Sequence, residues 1–215
     1  DDTIGDLPCR VLLPVPYEPA GNRYPLVVTL HGSAERGNDN LAQLRNGVRS
    51  FEMLRAKWPC IVVAPQLPHG ENFGGSWYGG ASAGQRRLLR LLEELEHRKS
   101  VDEERVYGVG FSMGAIGLWD LLVRRPGLFA ASVLIAGDLD PVQATPLSHV
   151  SLWAFHGAAD EVVSPVNVRR FFEEAQRRGG TARYTETPGV GHEVWREVYG
   201  HLPTWEWLFN QRRQT

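Results

Sequence analysis

Short apolar runs alternate with longer amphipathic segments along the whole chain, and this alternation constrains the fold more than any other feature. Seven runs have the length of a strand, and several of them are apolar from end to end. Such runs are typical of parallel strands that helices cover on both faces. The predicted strands are Arg10–Leu13, Leu26–Leu30, Cys60–Ala64, Arg105–Phe111, Ala131–Ala136, Leu152–His156 and Ala182–Thr187.

The segments between these runs have the periodicity of amphipathic helices. In Ala83–Lys99, leucines recur on one face and charged residues occupy most of the other. No internal repeat, low-complexity tract or linker interrupts the pattern. We therefore predict one α/β domain over residues 1–215, with a mostly parallel, twisted sheet of about seven or eight strands and helices on both faces. The other predicted helices are Leu41–Ala56, Met113–Arg125, Val166–Arg178 and Pro203–Arg212.

Composition and charge exclude several classes of partner. Lys and Arg number 23 and Asp and Glu 25, for a net charge of −2, and the two signs are intermixed along the chain. This balance argues against a nucleic-acid partner. No apolar run reaches the ~20 residues that a membrane-spanning helix needs. The chain starts at Asp1 without an initiator Met, which is compatible with a removed leader and a secreted or periplasmic protein; the compartment and the oligomeric state stay open.

The two cysteines, Cys9 and Cys60, leave two interpretations open. In an oxidising compartment they would close a loop of about 50 residues, and the bond would stabilise the fold by roughly 4 kcal/mol. Alternatively, both are small buried apolar side chains. Their spacing fits no metal or redox motif.

The sequence contains the motif G-x-S-x-G twice, around Ser82 and around Ser112. A nucleophile elbow needs a strand that runs directly into the serine and a helix that leaves it, because the tight turn raises the hydroxyl above the sheet edge. Glycines two positions before and after the serine keep Cβ atoms from clashing where the strand and the helix approach. The motif is therefore informative only where its surroundings supply both elements.

Of the two serines, Ser112 has these surroundings. The predicted strand Arg105–Phe111 runs into it, and the predicted helix that starts at Met113 leaves it. Ser82 instead follows a glycine-rich segment, and Gln85 three residues later completes a capping-box pattern. We predict that Ser112 is a nucleophile and that Ser82 is the N-cap of a helix.

A serine hydroxyl needs a base to take its proton, and the base needs an acid to fix its tautomer. Asp160 follows the predicted strand Leu152–His156 at its carboxyl end, and His192 lies in a glycine-rich loop after the next strand. The resulting order of serine, acid and histidine is the one that accompanies a nucleophile elbow. Asp138 and Asp140, after the preceding strand, remain rival acids. The other histidines fit the role of base less well, and none pair at metal-ligand spacing.

Hydrolysis through a tetrahedral intermediate also needs backbone N–H groups that face the oxyanion. The N–H of Met113 is one candidate, because it follows the nucleophile at a helix N-terminus. The N–H of Ser33 is the other, since Gly32 permits a close turn after the strand Leu26–Leu30. An ordinary loop position is the alternative interpretation of Ser33.

Further segments extend the pattern over most of the chain. They are Tyr24–Val28, His31–Gly32, Glu35–Gly37, Val101–Asp102, Arg105–Tyr107, Gly110–Gly114, Phe129–Ala131, Trp153–Gly157 with Asp160, Gly191–His192 with Trp195, and Trp207–Gln211. In these segments the sequence resembles the compact, lidless bacterial esterases of the phospholipase/carboxylesterase or predicted-peptidase group. That group belongs to the α/β-hydrolase superfamily and is related to feruloyl and polyhydroxyalkanoate esterases.

The resemblance implies an α/β-hydrolase fold without a lid domain, and catalysis without a metal or an organic cofactor. The site residues that it implies are the triad Ser112, Asp160 and His192 and the oxyanion donors Ser33 and Met113. Ala115 departs from the pattern, because relatives often carry glycine there. We expect this departure to affect helix packing but not the nucleophile.

The spacing of the later strands bears on access to the site. Residues 137–151 alone separate the fifth and sixth predicted strands, which leaves no room for a lid and predicts an open cleft. The segment 72–80 is its predicted wall, where Trp77 and Tyr78 would offer an aromatic surface, with Trp195 near the histidine loop. Burial in the core is the alternative for these aromatic residues.

The resulting hypothesis is a serine carboxylic-ester hydrolase that forms an acyl-enzyme on a small-molecule or polymer-linked ester. Peptidase or acyltransferase chemistry with the same residues is an alternative, which competition between water and amines or alcohols would separate. A non-catalytic binding module is the third alternative, disfavoured by the complete set of catalytic residue types. The natural ester is left open, because the resembling group acts on many ester types.

Overall fold

The computed structural model describes residues 2–4, 6–74, 80–97, 100–144 and 150–213. Within these residues lie the strands β1 (Asp2–Ile4), β2 (Leu7–Leu12), β3 (Tyr24–Leu30), β4 (Ile61–Pro65), β5 (Val101–Phe111), β6 (Ala131–Ile135), β7 (Leu152–Gly157) and β8 (Arg183–Thr187). They form one sheet in the order β1-β2-β4-β3-β5-β6-β7-β8. The pairs β1–β2 and β2–β4 are antiparallel, and the other neighbouring strands are parallel. The predicted α/β class and mostly parallel sheet are therefore confirmed.

Helices cover both faces of the sheet. They are α1 (Phe51–Lys57), α2 (Ala83–Glu96), α3 (Met113–Arg124), α4 (Val166–Arg177), α5 (Trp195–Gly200) and α6 (Leu202–Phe209). Short 3-10 helices lie at Ser33–Glu35, Ala42–Leu44, Val48–Ser50 and Pro141–Ala144. The helices α2, α3 and α4 pack in one apolar cluster, and α1, α5 and α6 pack in another.

The alternation of side chains along the strands explains the two clusters. In β3, Leu26 and Val28 belong to the first cluster and Val27 to the second, and all three are fully buried. Successive side chains of a strand point to opposite faces, so an apolar run can serve two cores at once. The uninterrupted apolar runs of the sequence have this physical cause.

One predicted helix is broken in the structure. The segment 41–56 forms two 3-10 turns before α1 begins at Phe51, because Asn46 and Gly47 adopt φ values of 56° and 92° between the turns. Gly47 lies so close to α5 that a Cβ atom there would come within 2.1 Å of Tyr199 Cδ2. Close packing on a distant segment therefore interrupts the helical periodicity.

Two short elements, the cysteines and the lengths of the helices complete the description of the fold. The strand β1 and the helix α5 are absent from the sequence-based assignment, and both are short. Cys9 and Cys60 are both buried, which corresponds to the second interpretation of these residues. Across the described ranges, no helix combines the length and the apolar character needed to span a membrane.

Candidate active site

Ser112 occupies the sharp turn between β5 and α3. Its φ of 51° and ψ of −116° lie outside the regions that non-glycine residues commonly adopt. Its N–H donates to the carbonyl of Ile135 on the neighbouring strand at 2.8 Å, and its carbonyl accepts from the N–H of Ile116 in the helix at 3.0 Å. The strained turn is therefore held on both sides, as a strand–serine–helix elbow requires.

The glycines of the motif make the close approach of strand and helix possible. A Cβ atom on Gly110 would come within 2.5 Å of the Gly114 carbonyl oxygen, and one on Gly114 within 2.1 Å of the Leu30 carbonyl oxygen. Ala115, the departure from the resembling family, is fully buried against Gly137, where a Cβ atom would lie 2.6 Å from the Ala115 methyl group. The alanine is therefore accommodated by a glycine on the following strand's loop.

Ser82 has the capping role predicted for it. It is the N-cap of α2, and its Oγ accepts a hydrogen bond from the Gln85 N–H at 3.0 Å. The same hydroxyl donates to the Asn72 carbonyl at 2.8 Å. A serine engaged in both directions within a helix cap is not placed to act as a nucleophile.

Asp160 lies three residues beyond β7 with its side chain fully inaccessible to solvent. Its Oδ1 accepts from the N–H groups of Val162 and Val163, both at 2.9 Å, and its Oδ2 accepts from His192 Nδ1 at 2.8 Å. Burial alone would raise the pKa of Asp160, but the hydrogen bonds from Val163, His192 and Val162 outweigh it, and the pKa lies below its usual value. The carboxylate is therefore ionised at neutral pH.

The loop that carries His192 is fixed to the loop that carries Asp160. The Ala159 N–H donates to the Val190 carbonyl at 2.9 Å. Gly157 allows this contact, because a Cβ atom there would lie 2.3 Å from the carbonyl oxygens of both Val190 and Gly191. These backbone contacts therefore set the spacing between the loops of Asp160 and His192, independently of the hydrogen bond between their side chains.

The three side chains form one chain of hydrogen bonds. His192 Nε2 lies 3.0 Å from Ser112 Oγ, while Nδ1 lies 2.8 Å from Asp160 Oδ2. Because an ionised carboxylate only accepts, Nδ1 carries the hydrogen and Nε2 presents its lone pair to the hydroxyl. The arrangement can take a proton from Ser112 and so generate an oxygen nucleophile.

The rival acids make other contacts. Asp138 accepts from the Asn167 side chain at 3.1 Å, and Asp140 accepts from the Val142 N–H at 3.0 Å. Asp138 therefore bonds to the start of α4, and Asp140 serves a local turn beyond β6. Asp160 is the carboxylate that meets His192.

Of the two predicted oxyanion donors, Met113 follows Ser112 directly and Ser33 lies in the turn after β3. Met113 is the first residue of α3, so its N–H has no acceptor within the helix. Ser33 is the exposed first residue of the 3-10 helix that follows β3. The Leu30 carbonyl at the end of β3 lies against Gly114, so the two segments approach each other closely.

His31 had no predicted role, and its buried ring holds the peptide that precedes Ser33 in place. His31 Nδ1 lies 2.6 Å from the Gly32 carbonyl oxygen, and the Leu67 N–H donates to Nε2 at 3.0 Å. The ring is therefore neutral with its hydrogen on Nδ1, and burial lowers its pKa to about 4. In a trans peptide the N–H points away from the preceding C=O, so the bond to Gly32 also sets the direction of the Ser33 N–H.

The predicted aromatic wall is only partly described. Trp77 and Tyr78 lie outside the described residues. Trp195 is the half-buried first residue of α5, and the Arg196 guanidinium lies 4.5 Å from its ring centre. Phe73, at the start of the predicted wall, is fully buried against the His31 ring.

Metal chemistry has no evident ligand set here. In the part of the chain that the structure describes, no group of three or more His, Cys, Asp or Glu side chains is arranged to hold a metal ion.

Comparisons with known proteins place this geometry in a family. Residues 10–170 match the family described as Esterase PHB depolymerase. The chain is 24% identical to a probable carboxylesterase SOBER1-like of Arabidopsis thaliana, over 88% of this chain and 79% of that protein. It is 26% identical to poly(3-hydroxyalkanoate) depolymerase C of Paucimonas lemoignei, over 82% of this chain and 51% of that protein.

A solved structure gives the same result for the fold. The crystal structure of a thermostable esterase superposes with a TM-score of 0.87 at 31% sequence identity, over 95% of this chain and 59% of that one. The chain thus spans little more than half the length of this esterase and of the depolymerase. With three quarters of its residues matched by the family model, the chain belongs to the Esterase PHB depolymerase family, and it is a carboxylic ester hydrolase with the α/β-hydrolase fold.

Proposed function

We propose that the chain hydrolyses carboxylic esters through a covalent acyl-enzyme formed on Ser112. The hydrogen-bond chain from Ser112 Oγ through His192 to the ionised Asp160 carries the proposal. His192 takes the hydroxyl proton as Oγ attacks the ester carbonyl, and the resulting imidazolium is stabilised by Asp160. Family membership is consistent with this mechanism.

The later steps use the same groups. The N–H groups of Met113 and Ser33 stabilise the negative charge that develops on the carbonyl oxygen. His192 then gives its proton to the departing alcohol, and the acyl group remains on Ser112. A water molecule, deprotonated by His192, attacks the acyl-enzyme and releases the acid, which restores the free hydroxyl.

We further propose that the site is open and accepts bulky or polymer-linked esters. The described part of the connection between β6 and β7 contains one short 3-10 helix, Pro141–Ala144. The relatives include a poly(3-hydroxyalkanoate) depolymerase, which supports testing hydroxyalkanoate oligomers beside small esters. Trp195, near the histidine loop, is the described aromatic residue that we assign to substrate contact.

The test is covalent labelling combined with turnover. A fluorophosphonate should label the wild-type protein at Ser112, and Ser112→Ala should abolish labelling and lower kcat by about 10³-fold or more while the fold is retained. Turnover should be measured on p-nitrophenyl esters, feruloyl and acetylated sugars, hydroxyalkanoate oligomers and a peptide. Full activity of Ser112→Ala would overturn the mechanism, and a preference for the peptide, or for amine or alcohol acceptors over water, would replace ester hydrolysis by peptidase or acyltransferase chemistry.

A further inference from the structure

A second buried imidazole touches the acid of the proposed triad. His156 lies near the end of β7, and its side chain is 1% exposed. Its Nε2 lies 3.1 Å from Asp160 Oδ2 and 2.8 Å from the Val163 carbonyl oxygen. His156 precedes Asp160 by four residues, so it lies where the loop that carries Asp160 begins.

The two neighbours of His156 Nε2 define its protonation at that atom. A carbonyl oxygen and an ionised carboxylate can only accept hydrogen bonds. Nε2 therefore carries a hydrogen, which is shared between Val163 and Asp160. His156 donates to the oxygen of Asp160 that also accepts from His192.

With this contact the Asp160 carboxylate has four donors. Two backbone N–H groups hold Oδ1, and two imidazoles share Oδ2. A carboxylate with no exposed surface stays ionised only if donors replace the water that it has lost. The His156 donor acts on Oδ2, where the contact with the proposed base is made.

The carboxylate of the neighbouring strand β8 does not compete with Asp160 for the His156 N–H. The partner of His156 on β8 is Glu186, which is the nearest carboxylate in that strand. Glu186 is already engaged, because Arg169 donates to both of its oxygens at 2.6 Å and the Tyr184 hydroxyl donates to Oε2 at 2.5 Å. The acidic group open to the His156 donor is therefore Asp160.

We propose that His156 is a positioning residue, which holds Asp160 Oδ2 ionised and directed at His192 Nδ1. This inference rests on the proposed function, since it acts through the acid and base of that mechanism. A purely structural role, in which His156 only ties the loop through Val163, would leave the acid–base contact unchanged when the donor to Asp160 is lost.

Two substitutions separate these roles. In His156→Gln the side-chain amide nitrogen is the same number of bonds from Cα as Nε2, so a donor is retained. In His156→Met a side chain of similar reach has no donor. We expect kcat of the Met variant to fall by about 10- to 100-fold, the value of a hydrogen bond to a charged group, with KM within about twofold. The Gln variant should recover kcat to within about threefold of the wild type.

The control is His201→Gln. His201 is an exposed histidine whose Nδ1 contacts Thr204 Oγ1, and its ring packs edge-on against Trp153. This variant should keep wild-type kcat. Urea unfolding of all variants should verify that each is folded under assay conditions, so that a lower kcat is not the result of unfolded protein.

Proton NMR measures a signal that a purely structural role of His156 would leave unchanged. The hydrogen between His192 Nδ1 and Asp160 should give a far-downfield resonance in the wild type and in His156→Gln, and this resonance should shift or broaden in His156→Met. Equal kcat and equal spectra in the Gln and Met variants would overturn the inference. Failure of the proposed function looks different, because the wild type would then not be labelled at Ser112 by a fluorophosphonate.

Discussion

The ring of Phe111 lies 5.1 Å from the imidazole of His192, centre to centre, at an angle of 43°. Phe111 is the last residue of β5 and immediately precedes Ser112. The strand that leads into Ser112 therefore also provides a surface for the His192 ring. This contact supplements the hydrogen bond to Asp160, because Phe111 and Asp160 hold the His192 ring from two different segments of the chain.

Removal of this ring contact should loosen the base. We expect Phe111→Ala to lower kcat by about tenfold, since a misplaced catalytic group loses the benefit of its fixed orientation. Steady-state kinetics on a p-nitrophenyl ester would measure the change. Phe111→Leu retains much of the apolar contact and serves as the control; a kcat in Phe111→Ala equal to that of the wild type would show that Asp160 alone positions His192.

A methyl group at position 157 should separate the acid and base loops. Gly157→Ala would place its Cβ atom 2.3 Å from two carbonyl oxygens of the 190–191 segment, so the His192 loop must move. We expect kcat to fall by at least about 100-fold, because shifts of about 1 Å at a catalytic group have this effect. At Gly191 the nearest atom to an added Cβ is the Ala159 carbonyl oxygen at 3.7 Å, so Gly191→Ala should be nearly neutral. Similar kcat values for the two variants would contradict this account of the loop spacing.

Ser82→Ala should affect stability and leave catalysis intact. Loss of the N-cap acceptor for Gln85 should lower the free energy of unfolding by about 1–2 kcal/mol. Fluorophosphonate labelling and kcat should stay at wild-type values. If labelling is lost in this variant, the nucleophile has been assigned to the wrong serine.

His31 should make the protein less stable in mild acid. Burial holds the pKa of its imidazole at about 4 in the native state, whereas the unfolded chain binds a proton near the ordinary pKa of 6.5. As the pH falls from about 6.5 to 4, the unfolded state takes up a proton that native His31 does not, and the free energy of unfolding should fall by up to about 3 kcal/mol. Below that window the contribution is constant.

Urea unfolding at a series of pH values would measure this dependence. His31→Gln should be less stable at neutral pH, because it loses the fit to Gly32 and Leu67, and its stability should vary less between pH 6.5 and 4. Wild-type and variant curves that run parallel over this range would show that His31 is not the group responsible.

The sequence predicted the elements around the site well, because each has a local signature. The run from Arg105 to Phe111 and the helix from Met113 follow from apolar periodicity and from the glycines around Ser112. The cap at Ser82 follows from the residue three positions later. The catalytic roles of Ser112, Asp160 and His192 stay predictions, although the structure brings the three side chains together.

What the sequence could not predict depends on tertiary contacts. The break at Gly47 is set by Tyr199, which lies far along the chain. The bonds of His31 to Gly32 and of His156 to Asp160 have no periodic signal in the sequence, and the positions of the two histidines before glycines at strand ends were the available hint. A histidine at the end of a buried strand, directly before a glycine loop, therefore merits examination as an organiser of that loop.

The hydrogen bond from Ala159 to Val190 joins the loops of Asp160 and His192, which follow β7 and β8, whereas Ser112 follows β5. The strand β8 lies at one edge of the sheet and is only partly buried, so local unfolding would begin there. It would displace Asp160 and His192 together. Heat inactivation of this enzyme should therefore measure the detachment of the β8 edge from the sheet, at temperatures where the central strands are still folded.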